Sequence, residues 1–273
     1  MNDDFTILMS VYRKEKVQWL KESIESMLNQ TVQAKEFLII QDGPLTQELN
    51  EVLKGYKAQY PDYFRIVPLE KNVGLGLALQ RGIEECKTEL IIRMDSDDIS
   101  IQDRCEKLLA KYREDPSLDM IGSYGTEFLD TLQNVIAVHK VPETSEEVAQ
   151  FMKKRCAVIH PTVLYKKSAV LKAGNYQNVK LYEDYDLFSR MIFQQGAKVY
   201  NIQESLYYIR ISDDFFRRRG GVQYMVTVLR FKWNQFRKGY MSFLDFCISG
   251  CGQAMVCLLP NTLRKKFYLT FLR

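Results

Sequence analysis

ELIIRMDSDDIS, residues 89–100, carries an apolar run straight into three carboxylates, Asp95, Asp97 and Asp98. Apolar residues at consecutive positions, β-branched in part, predict a strand covered on both faces rather than one with a wet side. Three neighbouring carboxylates repel one another unless something neutralises them. Placed directly after a buried strand, they sit where an open α/β sheet binds ligands, beyond the carboxyl ends of its strands.

Reading outward, three more runs share this texture: FTILMSV (5–11), EFLIIQD (36–42) and YFRIVPL (63–69). Helical patterns lie between them, over 16–28, 49–60 and 75–86. Short apolar strands alternating with helices predict a mostly parallel sheet with helices on both faces, the Rossmann-like nucleotide-binding layout. The first, second and fourth strands each end in polar residues: Ser10-Val11-Tyr12-Arg13, Gln41-Asp42-Gly43 and Asp95-Ser96-Asp97-Asp98.

The rhythm changes after residue 115. DMIGSYGTEFLD (119–130) and NVIAVHKV (134–141) predict strands joined by a turn. The segment 143–154 predicts a helix with a capping box from Thr144 to Glu147. HPTVLYKKSAVLKAG (160–174) predicts a strand and a short helix. A further helix is expected from Glu183 to Gly196, and one or two strands over 198–212. The second half is therefore α+β and is expected to extend the same sheet with antiparallel strands.

Charge is unevenly spread. Residues 215–273 hold eleven of the 38 Lys and Arg but one of the 34 Asp and Glu, Asp245. Within that tail, RRRGGVQYMVTVLRFKWNQFRKGY is helical, basic and aromatic. MSFLDFCISGCGQAMVCLLP (241–260) has the length of a membrane span, about 20 residues. However, Asp245, Ser249, Gln253 and three Gly and Pro residues dilute it. Basic, aromatic, amphipathic helices lie in a membrane interface, so an anionic membrane surface is the expected partner. Packing against the main domain is the alternative, and no nucleic acid is expected. No feature specifies an oligomeric state. The acidic start before a short apolar run does not read as a signal peptide. Six scattered cysteines with no CxxC, and two histidines, argue against structural zinc and for reduced thiols in the cytoplasm.

Three aspartates directly after a strand expected to be central and buried suit a hard divalent cation, Mn²⁺ or Mg²⁺, that takes carboxylates and phosphate oxygens. An acidic surface turn is the plainer alternative. Asp42 is placed to accept from a ribose hydroxyl or a base, and Tyr12 and Arg13 to enclose one. Asn72 and Gly74 precede a helix whose N-terminus favours anions. The GxG at Gly74 and Gly76 lacks the third glycine, because Leu79 stands there, so a dinucleotide-binding dehydrogenase is disfavoured. Glu183, Asp184 and Asp186 open a helix. They either complement its dipole or include a general base.

SVYRKE, QDGP, KNVGLG, IIRMDSDD, IHPTVLYKKSAV and YEDYDLFSRM occur in the order seen in family 2 glycosyltransferases of GT-A fold. The sequence resembles bacterial enzymes of the amylovoran type, which build capsular and exopolysaccharide repeat units. The likeness extends over about residues 4–221. It implies a GT-A domain over 1–214, with a nucleotide-sugar half to about 115 and an acceptor half over 116–214. A basic amphipathic helical extension, membrane-associating, then covers 215–273. It implies donor contacts at Val11, Tyr12, Arg13, Asp42, Asn72, Gly74, Asp95 and Ser96, a metal on Asp97 and Asp95, and Asp98 orienting them. Asp184 is the implied catalytic base with Glu183 beside it, and His160 is implied near the acceptor. Arg217 to Arg219 are expected to meet donor or lipid phosphates.

The implied reaction is inverting transfer of one sugar from a nucleotide-diphosphate sugar, a UDP-sugar by expectation, to a lipid-linked or saccharide acceptor. The absence of QxxRW disfavours a processive synthase. The implied location is the inner face of the cell membrane, peripherally. A sugar nucleotidyltransferase and a non-catalytic membrane-binding module are the alternatives. The first would need a Gly-rich loop after strand one, where SVYRKEKVQW has no glycine.

Overall fold

A computed structural model describes residues 3–212 and 219–271. The four predicted strands form as β1 (Phe5–Tyr12), β2 (Glu36–Asp42), β3 (Phe64–Pro68) and β4 (Leu90–Met94). They are parallel and ordered β3-β2-β1-β4. Their side chains feed two cores. Leu8, Leu38, Ile40 and Ile91 meet α3 (Leu75–Glu85) on one face. Ile7, Met9, Phe37, Ile39 and Ile92 meet α1 (Val17–Leu28) and α2 (Gln47–Gln59) on the other. Burial on both faces is the physical reason these strands are apolar at successive positions.

Past β4 the chain makes the acidic turn and forms β5 (Ile99–Ser100), then α4 (Arg104–Glu114). Neither was predicted. β5 has two residues, too few for a pattern. α4 is mostly charged, and its buried side is Arg104 with a narrow apolar stripe of Cys105, Leu108 and Leu109. The rest follows as β6 (Met120–Phe128), β7 (Val135–His139), α5 (Ser145–Met152), β8 (Leu164–Lys166), α6 (Lys167–Lys172), α7 (Glu183–Ser189) and β9 (Val199–Arg210). The capping box of α5 forms as predicted, with Thr144 Oγ1 accepting from Glu147 N–H and Glu147 reaching back. α7 runs on through a π-helical turn, Arg190–Gln194, and stops at Gly196, where φ is +64°.

The sheet continues β4-β8-β6-β9-β5, with β7 paired to β6. The expectation of a mostly parallel sheet needs correction. Four pairings are parallel and four antiparallel, so the sheet is mixed. The reason is that β8 enters antiparallel to β4 and turns the second half around. One sheet runs across the 115/116 division between the two expected halves.

The C-terminal region forms α8 (Val222–Arg237), α9 (Phe243–Phe246), a π turn Cys247–Cys251, α10 (Gly252–Leu258) and α11 (Asn261–Phe271). No helix among the described residues is long and apolar enough to cross a membrane. Residues 241–260 are shortened by a capping box at Ser242–Asp245 and end at Pro260. One face of α8 is buried on the main domain through Val228, Phe231, Lys232 and Gln235. The alternative, packing on the main domain, is thus realised on that face. The opposite surface leaves Trp233, Phe243, Leu244, Ile248 and Met255 exposed.

Candidate active site

Four strand ends and three loops enclose a cleft of about 540 Å³. Ser10 and Tyr12 come from β1, Asp42 from β2, Asp95 to Asp98 from the turn after β4, and Ile209 and Arg210 from β9. Asn72, Gly74 and Leu75 start α3. Leu181, Glu183 and Asp184 face them, and Arg219 and Tyr224 come from the C-terminal region. The cleft lies at the carboxyl ends of the parallel strands, as the doubly wound layout requires.

The acidic turn is fastened on both sides, by β4 before it and by β5, which pairs Ile99 with Tyr208 and Ser100 with Tyr207 of β9. Ser23 Oγ donates to the Asp95 carbonyl at 2.6 Å, and Asp95 N–H donates to the Tyr207 hydroxyl at 3.1 Å. Arg210 N–H donates to Asp98 Oδ1 at 2.7 Å, and its Nε donates to the Asp97 carbonyl at 2.9 Å. Beneath the turn lies Arg93, fully buried, with Nη1 2.5 Å from Asp95 Oδ1. That contact is an ion pair without hydrogen-bond alignment, and Nε and Nη2 have no hydrogen-bond acceptor among the described residues. Burial works against charge on Arg93, but Asp95 and then Tyr176 and Tyr207 more than offset it, so its pKa is raised.

Carboxylate oxygens of Asp95, Asp97 and Asp98 lie within 4.8 Å of one another. Burial, then Asp95 and Glu15, push the Asp97 carboxyl upward. Burial, then Asp97 and Asp95, push Asp98 well above the carboxylate range. A cation would relieve both causes at once. Three hard oxygen donors that repel one another in a polar cleft fit a divalent ion of the Mg²⁺ or Mn²⁺ kind. Glu15, also raised chiefly by burial, accepts from Ser96 Oγ at 2.5 Å and ties the β1 loop to the acidic turn.

Asp42 is buried and holds the opposite wall. Its carboxylate accepts from Asn72 Nδ2 at 2.8 Å, Val73 N–H at 2.7 Å and Gly74 N–H at 3.1 Å. These bonds fix the loop that starts α3, so Asp42 shapes the pocket as well as lining it. Gly43, at φ +80°, lets the β2 turn press on that loop; a Cβ there would lie 2.4 Å from Asn72 N. Gly76 does the same between α3 and α7. A Cβ at Gly76 would meet the Gln177 carbonyl at 2.9 Å and Glu183 Cβ at 3.0 Å. The broken GxG pattern therefore has a packing explanation.

Glu183 and Asp184 face the acidic turn across the cleft. Burial, then Asp184, raises the Glu183 carboxyl. Burial raises Asp184 too, opposed by backbone N–H bonds, chiefly that of Tyr185 at 2.7 Å, and by Arg93 and Arg219. A half-buried carboxylate poised above its ordinary range is a competent general base.

Of the residues singled out from sequence, Tyr12, Asp42, Asn72, Gly74, Asp95, Ser96, Asp97, Asp98, Glu183 and Asp184 share this cleft. Three lie elsewhere. Val11 is buried in β1, and Arg13 points to solvent. His160 is buried, its Nε2 2.8 Å from the Tyr176 hydroxyl, and its pKa is lowered by burial and by Arg93. Arg217 and Arg218 lie outside the described residues. Sequence reasoning missed Arg93, Arg210, Glu15 and Tyr224. Only Arg93 had a readable signal, a charge inside an otherwise apolar strand, two residues from Asp95 and so on the same face of the strand.

Comparison with known proteins gives a consistent result. The sequence profile described as Glycosyl transferase family 2 matches residues 6–174. A UDP-Gal:alpha-D-GlcNAc-diphosphoundecaprenol beta-1,3-galactosyltransferase from Escherichia coli is 34% identical over 278 residues, covering 100% of this chain and 99% of its own. The amylovoran biosynthesis glycosyltransferase AmsE of Erwinia amylovora is 32% identical over 247 residues, 88% of this chain and 91% of its own. In fold, the chain is similar to the S. aureus TarS fragment 1–349 solved with UDP-GlcNAc. The TM-score is 0.61 at 16% identity, over 83% of this chain and 66% of that one.

Proposed function

The chain belongs to glycosyl transferase family 2 and is a glycosyltransferase. On that premise we propose that it moves one sugar, with inversion, from a UDP-sugar to a lipid-linked saccharide in bacterial surface polysaccharide synthesis. Membership of the family sets aside the nucleotidyltransferase and the non-catalytic module. One observation carries the reading: two carboxylate clusters 85 or more residues apart in sequence face each other across one cleft. One suits a diphosphate and its counter-ion, and the other suits a proton.

In this reading the β1 and β2 ends, with Tyr12 and Asp42, hold the nucleoside. The start of α3 and Arg219 face the diphosphate, and Asp95, Asp97 and Asp98 would hold Mn²⁺ or Mg²⁺. Bound there, such an ion neutralises charge on the departing diphosphate. Asp184 takes the proton from the acceptor hydroxyl. That oxygen forms its bond to the anomeric carbon as the bond from that carbon to the β-phosphate oxygen breaks, and UDP departs with the electron pair. Attack opposite the leaving group inverts the centre. Glu183, kept protonated to higher pH than an ordinary glutamate by burial and Asp184, is placed to hydrogen-bond the acceptor.

A diphosphoundecaprenol acceptor in the E. coli relative and the UDP-GlcNAc complex of TarS support the substrate classes. The exposed apolar and basic face of the C-terminal region supports attachment to the inner face of an anionic membrane. The experiment is turnover of UDP-sugars with Mn²⁺ and a lipid-diphosphate saccharide. Asp184→Asn should retain UDP binding and lose roughly 10²–10⁴-fold in kcat. Wild-type turnover in that variant removes Asp184 from the mechanism.

A further inference from the structure

We propose that the C-terminal extension belongs to the catalytic centre, with Phe231 and Lys232 of α8 acting as positioning residues that hold α7, and with it Glu183 and Asp184, against the cleft. The inference rests on the reading of Asp184 as the base.

α7 and the π turn that continues it make one short helical run, and its N-cap, Tyr182, provides no side-chain cap hydrogen bond. Isolated helices below about 12–15 residues are marginal in water, so tertiary contact must hold its N-terminal end in place. Glu183 and Asp184 look into the cleft. The residues flanking them, Tyr182 on one side and Tyr185 and Asp186 on the other, are each gripped from the extension. Tyr182 stacks on Phe231 with ring centroids 4.3 Å apart and planes at 8°. Its hydroxyl accepts from Gln253 Nε2 of α10 at 3.3 Å. Tyr185 packs its ring 5.0 Å from the same Phe231, and its hydroxyl accepts from Lys232 Nζ at 3.0 Å. Asp186 Oδ1 pairs with Lys238 Nζ at 3.1 Å.

Lys232 is the unusual member. It is 1% exposed, and its two hydrogen-bond acceptors, the Tyr185 hydroxyl and the Lys154 carbonyl at 2.6 Å, are neutral. Burial pushes its pKa down to about 7. A buried ammonium without a contacting carboxylate is costly where an apolar side chain would pack more easily. What the lysine adds is direction: it pins the hydroxyl of the tyrosine next to Asp184. Arg219 and Tyr224, from the same extension, complete the cleft wall in front of that base.

The test uses the full chain with Phe231→Ala and Lys232→Met, assayed for kcat, KM for donor, UDP affinity with Mn²⁺, and thermal melting. Displacing a catalytic group by about 1 Å can lose about 10²-fold in rate. The expected result is a kcat loss between about tenfold and about 100-fold, with UDP affinity within about twofold of wild type. Lys232→Met is close in volume to lysine and decides the matter if Phe231→Ala does not fold. A kcat within about twofold of wild type in the folded variants overturns the inference. So does a kcat loss that merely parallels loss of UDP affinity. Asp184→Asn run alongside separates the two readings. If it turns over normally, the base assignment fails. If it is inactive while both α8 variants are fully active, the positioning inference alone fails.

Discussion

At the scale of single residues, the site is defined by carboxylates held where their charges repel. Asp97→Asn should weaken Mn²⁺-dependent UDP binding by about tenfold or more, about 1.4 kcal/mol, while metal-free UDP binding stays unchanged. Calorimetric titration with and without Mn²⁺ reads this directly, and equal affinities would refute a metal role. Asp184 yields a pH prediction whose sign follows from its environment. Its carboxyl is raised above 3.8 by burial, so the folded state resists ionising it. Folding is then penalised as pH rises past the unfolded value, and the penalty vanishes in acid, where both states are protonated. Asp184→Asn should therefore melt above wild type at pH 8, with the gap closing towards pH 4, although its turnover is lost. Equal melting temperatures at pH 8 would contradict the strained-base picture. The acid limb of wild-type kcat should likewise lie above the ordinary aspartate range.

At the scale of elements, the acidic turn works because β5 returns it to the sheet, and α7 works because α3 and α8 clamp it from two sides. Gly76 is the α3 contact. Alanine in a helix is ordinarily about 1 kcal/mol more favourable than glycine. Here its Cβ would lie 2.9 Å from the Gln177 carbonyl and 3.0 Å from Glu183 Cβ. Gly76→Ala should thus destabilise, by about 1–3 kcal/mol as overpacking does, and should lower kcat by shifting Glu183 and Asp184. Denaturant unfolding and steady-state rates would show it; a more stable, fully active variant would mean that the contact yields freely. Gly76 of KNVGLG was visible in the sequence, but its reason was not, because its neighbours, Gln177 and Glu183, arrive about 100 residues later in the chain.

At the scale of the whole molecule, the extension has two faces. The inner one is packed on α7, through Phe231 against Tyr182 and Tyr185. The outer one exposes Leu244 and Met255, each at 67%, with Trp233, Phe243 and Ile248. Arg230, Arg237 and Lys266 are exposed on the same extension. Vesicles containing anionic lipid should bind the protein and release it as salt screens the basic charges over a Debye length of about 10 Å at 0.1 M. Leu244→Glu with Met255→Glu should reduce vesicle binding and leave turnover of a water-soluble acceptor intact. Undiminished binding would place the membrane contact elsewhere.

Four strands, their helices and the acidic turn were readable in the sequence, because burial on both faces and the polar strand ends are local patterns. So was the α5 capping box; the choice of Asp184 among the three acids that open α7 rests on the family resemblance. Local pattern pointed to antiparallel strands in the second half but could not give their order, or say that β9 would pair parallel to β6. Nor could it say that α4 hides a three-residue stripe among its charges, that His160 would turn inward to Tyr176, or that Arg93 would lie beneath Asp95. Those outcomes depend on which distant segments share a face and how burial shifts their charges, and that is settled only when the sheet closes and brings Asp97 and Asp184 to opposite walls of one cleft.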